Sequence, residues 1–264
     1  MLKENKDFFL YILAIIVLIF VTLFVIDYLL PGTASRGACG FLGYKCWFKK
    51  GYEEKTYSEY PKMIIEQGKD YKATIRTNYG DFEIDLYEEN TPLAVNSFVF
   101  LAQDDYYDNV KFHRVIKDLL IQTGDRNTLD SNLKNDGEGS PGYIFQDEIN
   151  WDSLNFSKAK RQQLEEQGYS SNQDVVSKHL GYRSVALANG GPNTNGSQFF
   201  IVTGSSGNMI VESLEGRHTV FGKISFGWDV IEKIGGVAVD DPSSNSPKPK
   251  EDIIILDIEI FTDS

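Results

Sequence analysis

Histidine, cysteine and positive charge are all scarce in this chain. Three histidines stand scattered among 264 residues, which argues against a catalytic metal centre, because such a site needs about three protein ligands converging on one ion. The two cysteines, Cys39 and Cys46, are too few ligands for a zinc site. Lys and Arg number 26 against 38 Asp and Glu, for a net charge of −12. Binding to nucleic acid through its phosphates is therefore not expected, and the acidity describes a solvated surface rather than a particular partner. Several motifs are absent as well. Ser197 sits in Asn195-Gly196-Ser197-Gln198, which is not the Gly-x-Ser-x-Gly elbow of a hydrolase. The glycines at 204 and 207 are not followed by Lys-Ser/Thr, so they do not form a phosphate loop. The oxygen-rich stretch 127–139 lacks EF-hand spacing. There is no internal repeat and no long low-complexity tract.

What the chain does have is one long apolar run. Phe8 to Ile26 holds 19 residues without a charge, close to the ~30 Å hydrocarbon thickness of a bilayer at ~1.5 Å per residue. It reads as an uncleaved signal anchor. The rival reading is a cleaved signal peptide, whose apolar region is shorter, about 7–15 residues, and ends at a small-residue site; Thr33-Ala34-Ser35 is a weak version of one. Lys3 and Lys6 precede the run, while Arg36, Lys45, Lys49 and Lys50 follow it, so the positive-inside rule leaves orientation open. The short N-terminal flank ahead of a long domain favours a cytoplasmic N-terminus and an extracytoplasmic domain. Cys39 and Cys46 would then lie just beyond the membrane, either joined in a small disulfide loop or present as two unrelated thiols. A lipid-modified Cys39 is a further alternative, with a poor lead-in at Arg36-Gly37-Ala38.

With 41% hydrophobic residues, the remainder is long enough for one sizeable core with additions. Residues 1–30 are assigned to the flank and anchor, 31–66 to a stalk, and 67–264 to one domain. The stretches YKATIRT and GDFEIDLY alternate around Asn78-Tyr79-Gly80 and predict a hairpin. Thr91-Pro92 opens a helix to about Asp104, with Thr91 as N-cap. Short strands are predicted over 112–115, 119–123, 197–203, 219–224 and 253–261, and a second helix over 228–234. Many strands, two short helices and Gly-rich turns predict a mainly β architecture, a closed barrel with helices at its ends. The polar, helix-prone segment at about 151–180 reads as a surface insertion, and 240–250 as a loop.

One stretch resists a purely structural reading. FHRVIKDLLIQTGD, Phe112 to Asp125, forms two apolar runs around a turn at Lys117-Asp118, yet places a histidine, an arginine and a glutamine on them. A buried guanidinium is costly unless its donors are matched. Arg114 is therefore either paired with a carboxylate such as Asp125 or Asp85, or directed into a cleft where it acts.

Together with ALANGGPNTNGSQFFIVT (Ala186 to Thr203) and LEGRHTVFGKI (Leu214 to Ile224), this stretch resembles the three signature blocks of the cyclophilins, peptidyl-prolyl cis-trans isomerases, here in a bacterial-like form with an N-terminal membrane anchor. The resemblance covers roughly residues 70–262, apart from the insertion, and three long blocks in order are far more specific than a single short motif. It implies an eight-stranded antiparallel barrel capped by two helices, with the groove on the outside. It implies Arg114 as the catalytic residue, with Phe112, His113 and Gln122 beside it. Leu119, Leu120, Phe200, Leu214 and His218 would wall a proline pocket, and Ala188, Asn189 and Gln198 would line the neighbouring groove for the substrate backbone. No cofactor or metal is implied, and a monomer acting on proline-containing polypeptides is expected.

The residue types suit that chemistry. Rotation about an Xaa-Pro bond must break amide resonance, with a barrier of ~18–20 kcal/mol. A 10⁵-fold acceleration needs about 7 kcal/mol of differential stabilisation. A guanidinium aimed at the proline nitrogen, where the lone pair localises as the bond twists, supplies it without a nucleophile, a metal or a proton donor. His113 reads as a structural residue hydrogen-bonded within the barrel, His218 as a groove wall, and His179 as solvated. Three positions depart from the familiar pattern. Leu119 replaces an aromatic ring, Ser213 stands where many members carry the Trp associated with cyclosporin binding, and Thr123 replaces a glycine beside the groove. Weak sensitivity to cyclosporin is expected from Ser213. Leu119 and Thr123 motivate a second reading, a membrane-tethered module that binds proline segments with little turnover.

Overall fold

The computed structural model describes residues 55–205 and 207–263. The apolar run at 8–26, Cys39 and Cys46 therefore lie outside the described residues. Among the described residues no helix is long and apolar enough to cross a membrane.

The hairpin forms as the alternation predicts. Strands β1 (Asp70–Thr77) and β2 (Gly80–Leu86) pair antiparallel. Tyr71, Ala73, Ile75, Phe82, Ile84 and Leu86 point inward, and the intervening polar residues stay outside. Strands β3 (Arg114–Ile116), β4 (Leu120–Thr123), β5 (Ser184–Leu187), β6 (Phe199–Val202), β7 (Val220–Phe226) and β8 (Ile255–Asp263) complete one eight-stranded sheet in the order β3-β4-β6-β5-β7-β2-β1-β8, every ladder antiparallel. The expected closed barrel is realised as a curled sheet. The end strands β3 and β8 share no ladder; the segment leading into β3 meets the start of β8 instead, through a bridge between Lys111 and Ile254 and the bonds from Asn109 N to Ile255 O, Ile255 N to Val110 O and Phe112 N to Ile253 O. β5 is a strand that alternation could not reveal, since all four of its residues are buried and none is charged.

Helix α1 (Pro92–Gln103) closes one side of the core, and α4 (Trp228–Gly235) another. Phe98 of α1 sits at the centre, with its ring edge-on to Phe199 at 5.6 Å and tilted against Tyr107 and Phe221. Each such pair is worth about 0.5–1.5 kcal/mol beyond area burial. The N-terminal cap differs from expectation. Thr91 makes no side-chain cap, and its hydroxyl donates to the Tyr87 carbonyl. The buried carboxylate of Glu148 takes the role, accepting from Leu93 N at 3.0 Å and Ala94 N at 2.9 Å. Burial pushes the Glu148 carboxyl up to about 7, against the pull of those two amides. A carboxylate at a helix N-terminus satisfies orphan donors and meets the positive end of the dipole; this one arrives from a loop remote in sequence.

Residues 57–65, expected as stalk, pack on α1 instead. Asn96, fully buried in the helix, accepts from Ile64 N and donates to the Lys62 carbonyl, while the Tyr60 hydroxyl donates to the Leu93 carbonyl. A buried amide without partners would be costly, so this segment completes the domain. Helix α2 (Lys158–Glu166) forms where the helix-prone insertion is expected, and α3 (Met209–Leu214) is a short helix beyond those expected. α2 lies in the predicted insertion, where Ile149, Trp151, Leu154 and Leu164 form a small core of their own.

Candidate functional site

The register across four strands places the site. Arg114 of β3 stands opposite Gln122 of β4, Gln122 opposite Phe200 of β6, and Phe200 opposite Ala186 of β5. The adjacent row, Val115, Ile121, Ile201 and Val185, is almost completely buried within the main core. Successive residues on a strand face opposite sides, so the row carrying Arg114 lies on the outer face. That face bears a second apolar cluster, in which Leu119, Leu120, Phe200, Ala186, Val211 and Val220 pack with Leu180, and Leu214 and Ala188 lie against them. The structure thus brings together most of the residues expected to wall a proline pocket.

Arg114 has no carboxylate partner among the described residues; neither Asp125 nor Asp85 pairs with it. Its Nε donates to the Asn245 carbonyl at 3.0 Å, and one terminal nitrogen donates to Gln122 Oε1 at 3.1 Å. A relay continues from there. Gln122 Nε2 donates to Gln198 Oε1 at 3.0 Å, and Gln198 Nε2 donates to the carbonyls of Gly137 and Gly139. Each amide is oriented by the next, so the fork is held in one geometry with donors to spare. Burial lowers the guanidinium's pKa from its ordinary value. A desolvated, half-paired cation is suited to electrostatic stabilisation, since no reorganisation is needed when charge develops opposite it. The loop at 240–250 takes part unexpectedly. It docks along β3 through the bond from Val115 N to the Pro247 carbonyl and supplies the carbonyl that holds Arg114.

Beside this row lies an open cleft of about 290 Å³, bordered by Gln122, Ala188, Asn189 and Gln198, as expected, and also by Gly139 and Ile144. The Asn189 side chain donates to the Arg217 carbonyl at 2.9 Å. Among the described residues no hydrogen bond engages its main-chain N–H or C=O, which leaves both for a substrate backbone. His218 stands edge-on to Phe200 at 5.2 Å, and its Nδ1 meets the Leu187 carbonyl at 3.0 Å. Burial pushes its pKa down to about 4, so the ring is a neutral wall at physiological pH.

Several assignments are corrected. Phe112 does not face the groove; it is buried in the main core and bonded through its N–H to Ile253. His113 is buried too, and neither ring nitrogen has a hydrogen-bond partner among the described residues, contrary to the expected structural bond. Thr123 does not crowd the groove. It is fully buried, and its hydroxyl donates to the Lys111 carbonyl. His179 is exposed but not merely solvated, because its Nδ1 lies 2.6 Å from Glu215 Oε1. Ser213 is exposed, and its hydroxyl donates to the Ile210 carbonyl.

His113 has a consequence for acid stability. Burial lowers its pKa to about 4, against an unfolded value of ~6.5. The folded state then binds fewer protons than the unfolded chain between those values. The contribution of this histidine is full above pH ~6.5 and is lost as pH falls toward ~4, and the loss amounts to about 3 kcal/mol below that. Buried His218 is lowered to about 4 as well and adds a similar loss, so His113→Phe is expected to remove about half of the slope in denaturant titrations at pH 4.5 and 7. An unchanged slope would show that another group carries the loss.

Comparison with known proteins gives one family. Residues 72–260 match the family described as cyclophilin type peptidyl-prolyl cis-trans isomerase/CLD. The peptidyl-prolyl cis-trans isomerase CYP18-2 of Arabidopsis thaliana is 32% identical over 195 residues, covering 74% of this chain and 96% of the relative. A crystal structure of a Cryptosporidium parvum cyclophilin type isomerase superposes with a TM-score of 0.54 at 29% identity, over 74% of this chain and 99% of that one. The same Cryptosporidium protein solved in the presence of the dipeptide Ala-Pro gives a TM-score of 0.53 at 29% identity, over 73% and 99% of the two chains.

Proposed function

The chain belongs to the cyclophilin-type peptidyl-prolyl cis-trans isomerases, and from that premise we propose that it turns Xaa-Pro bonds in polypeptides outside the cytoplasmic membrane, as an anchored, bacterial-like member acting as a monomer. The observation that carries the site assignment is the Arg114 guanidinium. It is fixed by Gln122 and the Asn245 carbonyl, unpaired with any described carboxylate, and set on the same outer face as the Phe200 cluster.

The roles follow from this arrangement. The proline ring enters the apolar cluster walled by Leu119, Leu120, Phe200, Leu214 and His218. The substrate backbone lies along Ala188, Asn189 and Gln198, clamped by the free main-chain groups of Asn189. Arg114 donates toward the proline nitrogen as its lone pair localises, a charge distribution present only in the twisted state. Stabilising that state and not the planar one is what accelerates rotation. The tether reading without turnover loses one of its two motives, since Thr123 faces the interior.

The extracytoplasmic placement rests on the apolar run at 8–26 and on the length of the domain that follows it. Protease added to intact cells is expected to remove the domain while leaving a cytoplasmic control intact. Protection of the domain until the membrane is permeabilised would place it on the opposite side and overturn this part of the reading.

A further inference from the structure

The insertion at about 151–180 does not float free of the barrel; it holds the turn that carries Leu214 and His218. Gly216, at the apex of that turn, has φ +88°, and a Cβ placed on it would fall 2.6 Å from Phe156 Cε2 and 2.8 Å from Leu164 Cδ1. Only glycine adopts this φ without strain and admits so close an approach. Leu164, on α2, is completely buried, and Phe156 packs against the same small core. A second attachment lies one residue earlier. The Glu215 carboxylate meets His179 Nδ1 at 2.6 Å and accepts from Leu180 N at 3.3 Å. Leu180, the last apolar residue of the insertion, is itself buried in the outer cluster with Leu119, Leu120 and Phe200. A small cleft bordered by Leu154, Ser177, Leu180 and His218 joins the two parts.

We propose that the insertion is a positioning element for the proline pocket, with Phe156 and Leu164 clamping Gly216 and the His179–Glu215–Leu180 contact securing the turn, so that Leu214 and His218 stand as a rigid wall. This rests on those two residues walling the pocket, as assigned above. The turn has no regular ladder of its own, since it lies between α3 and β7. Beyond the Asn189 bond to the Arg217 carbonyl and the His218 contact with the Leu187 carbonyl, its placement depends on what packs beneath it. A wall that grips the proline ring binds planar and twisted states alike, so loosening it weakens binding without touching the Arg114 step. The signature is a rise in KM with kcat preserved, the pattern of lost uniform binding.

The experiment is saturation kinetics of proline-peptide exchange with the full-length chain, run well below its melting temperature. Phe156→Ala is expected to raise KM about fivefold or more with kcat within about twofold, and Phe156→Leu to restore much of the difference. A merely structural role would lower the melting temperature and leave KM alone, which would overturn the proposal. Phe156→Leu and His179→Ala keep the test open if Phe156→Ala does not fold: each is expected to raise KM by a smaller factor, and unchanged KM in both overturns the proposal. Leu214→Ala separates the two levels. Unchanged KM there refutes the pocket assignment itself, and with it the proposal; raised KM in Leu214→Ala beside unchanged KM in Phe156→Ala refutes the positioning role alone.

Discussion

Arg114→Ala is expected to lose about 10²–10³-fold in kcat/KM while keeping its fold, the range seen when one preorganised donor is removed from a transition-state site. Two facts underlie the separation of activity from stability. Arg114 lies on the outer face of the sheet and makes no ion pair among the described residues, and the interior beneath it is complete without it, since Val115 and not Arg114 points into the core. What the substitution removes is a fork held at two points, by Gln122 and by the Asn245 carbonyl. Arg114→Lys retains the charge but not the fork. A lysine cannot reproduce both fixed bonds while donating to a third group, and it is expected to recover at most about a tenth of the lost activity. The measurement is NMR exchange at the Xaa-Pro bond of a short peptide, followed through the peptide's own signals. The loss should fall chiefly on kcat, the opposite of the pattern expected from Phe156. A folded Arg114→Ala protein with wild-type kcat would remove Arg114 from the mechanism.

The second large effect is on stability. Asp125→Ala is expected to cost about 3 kcal/mol, because it removes a buried charged acceptor from three part-buried main-chain amides; a hydrogen bond to a charged group is worth about 1.5–3 kcal/mol, and rehydration of the freed amides offsets part of the loss. Asp125 is fully buried, and all its partners are main-chain amides. One oxygen accepts from Asn127 N at 2.8 Å and caps the 3₁₀ turn Arg126–Leu129, and the other accepts from Gly137 N and from Gly139 N at 3.2 Å. In a domain of this size the loss corresponds to a fall of about 10 °C in melting temperature, readable by calorimetry. Activity should fall with it even where the protein remains folded. Gly137 and Gly139 supply the carbonyls that orient Gln198, which orients Gln122, which orients Arg114. Asp125→Asn keeps one acceptor oxygen and is expected to sit between the two. A melting temperature unchanged in Asp125→Ala would mean that the 127–139 loop is held by other contacts.

The hairpin, both capping helices and most of the strands follow from alternation, helix-start chemistry and turn residues, all local signals. Arg114 and Gln122 were legible because they are eight residues apart across a turn, so strand geometry alone sets them side by side. Phe112 is not legible in this way, because adjacency in a motif does not fix adjacency in the groove: Arg114 faces outward, whereas Phe112 is buried. Thr123 misled in the same way, since it follows Gln122 and so lies on the inner face. His113 is buried within the barrel, as its structural reading expects, but its ring lacks the expected hydrogen bond among the described residues.

By itself the sequence determined the pattern of strands and helices, the family, and the chemical identity of the groove, because each of these is written in residue types at short spacing. The tertiary structure decided what holds the groove in place. Glu148 caps a helix 55 residues before it, the Asn245 carbonyl fixes a guanidinium 131 residues away, and an insertion read as surface clamps the turn at Gly216. These contacts are long-range, and several are made by main-chain groups. A carbonyl oxygen is the same on every residue, so nothing in the chain's letters marks the one that will meet Arg114; only the folded path of the backbone selects it.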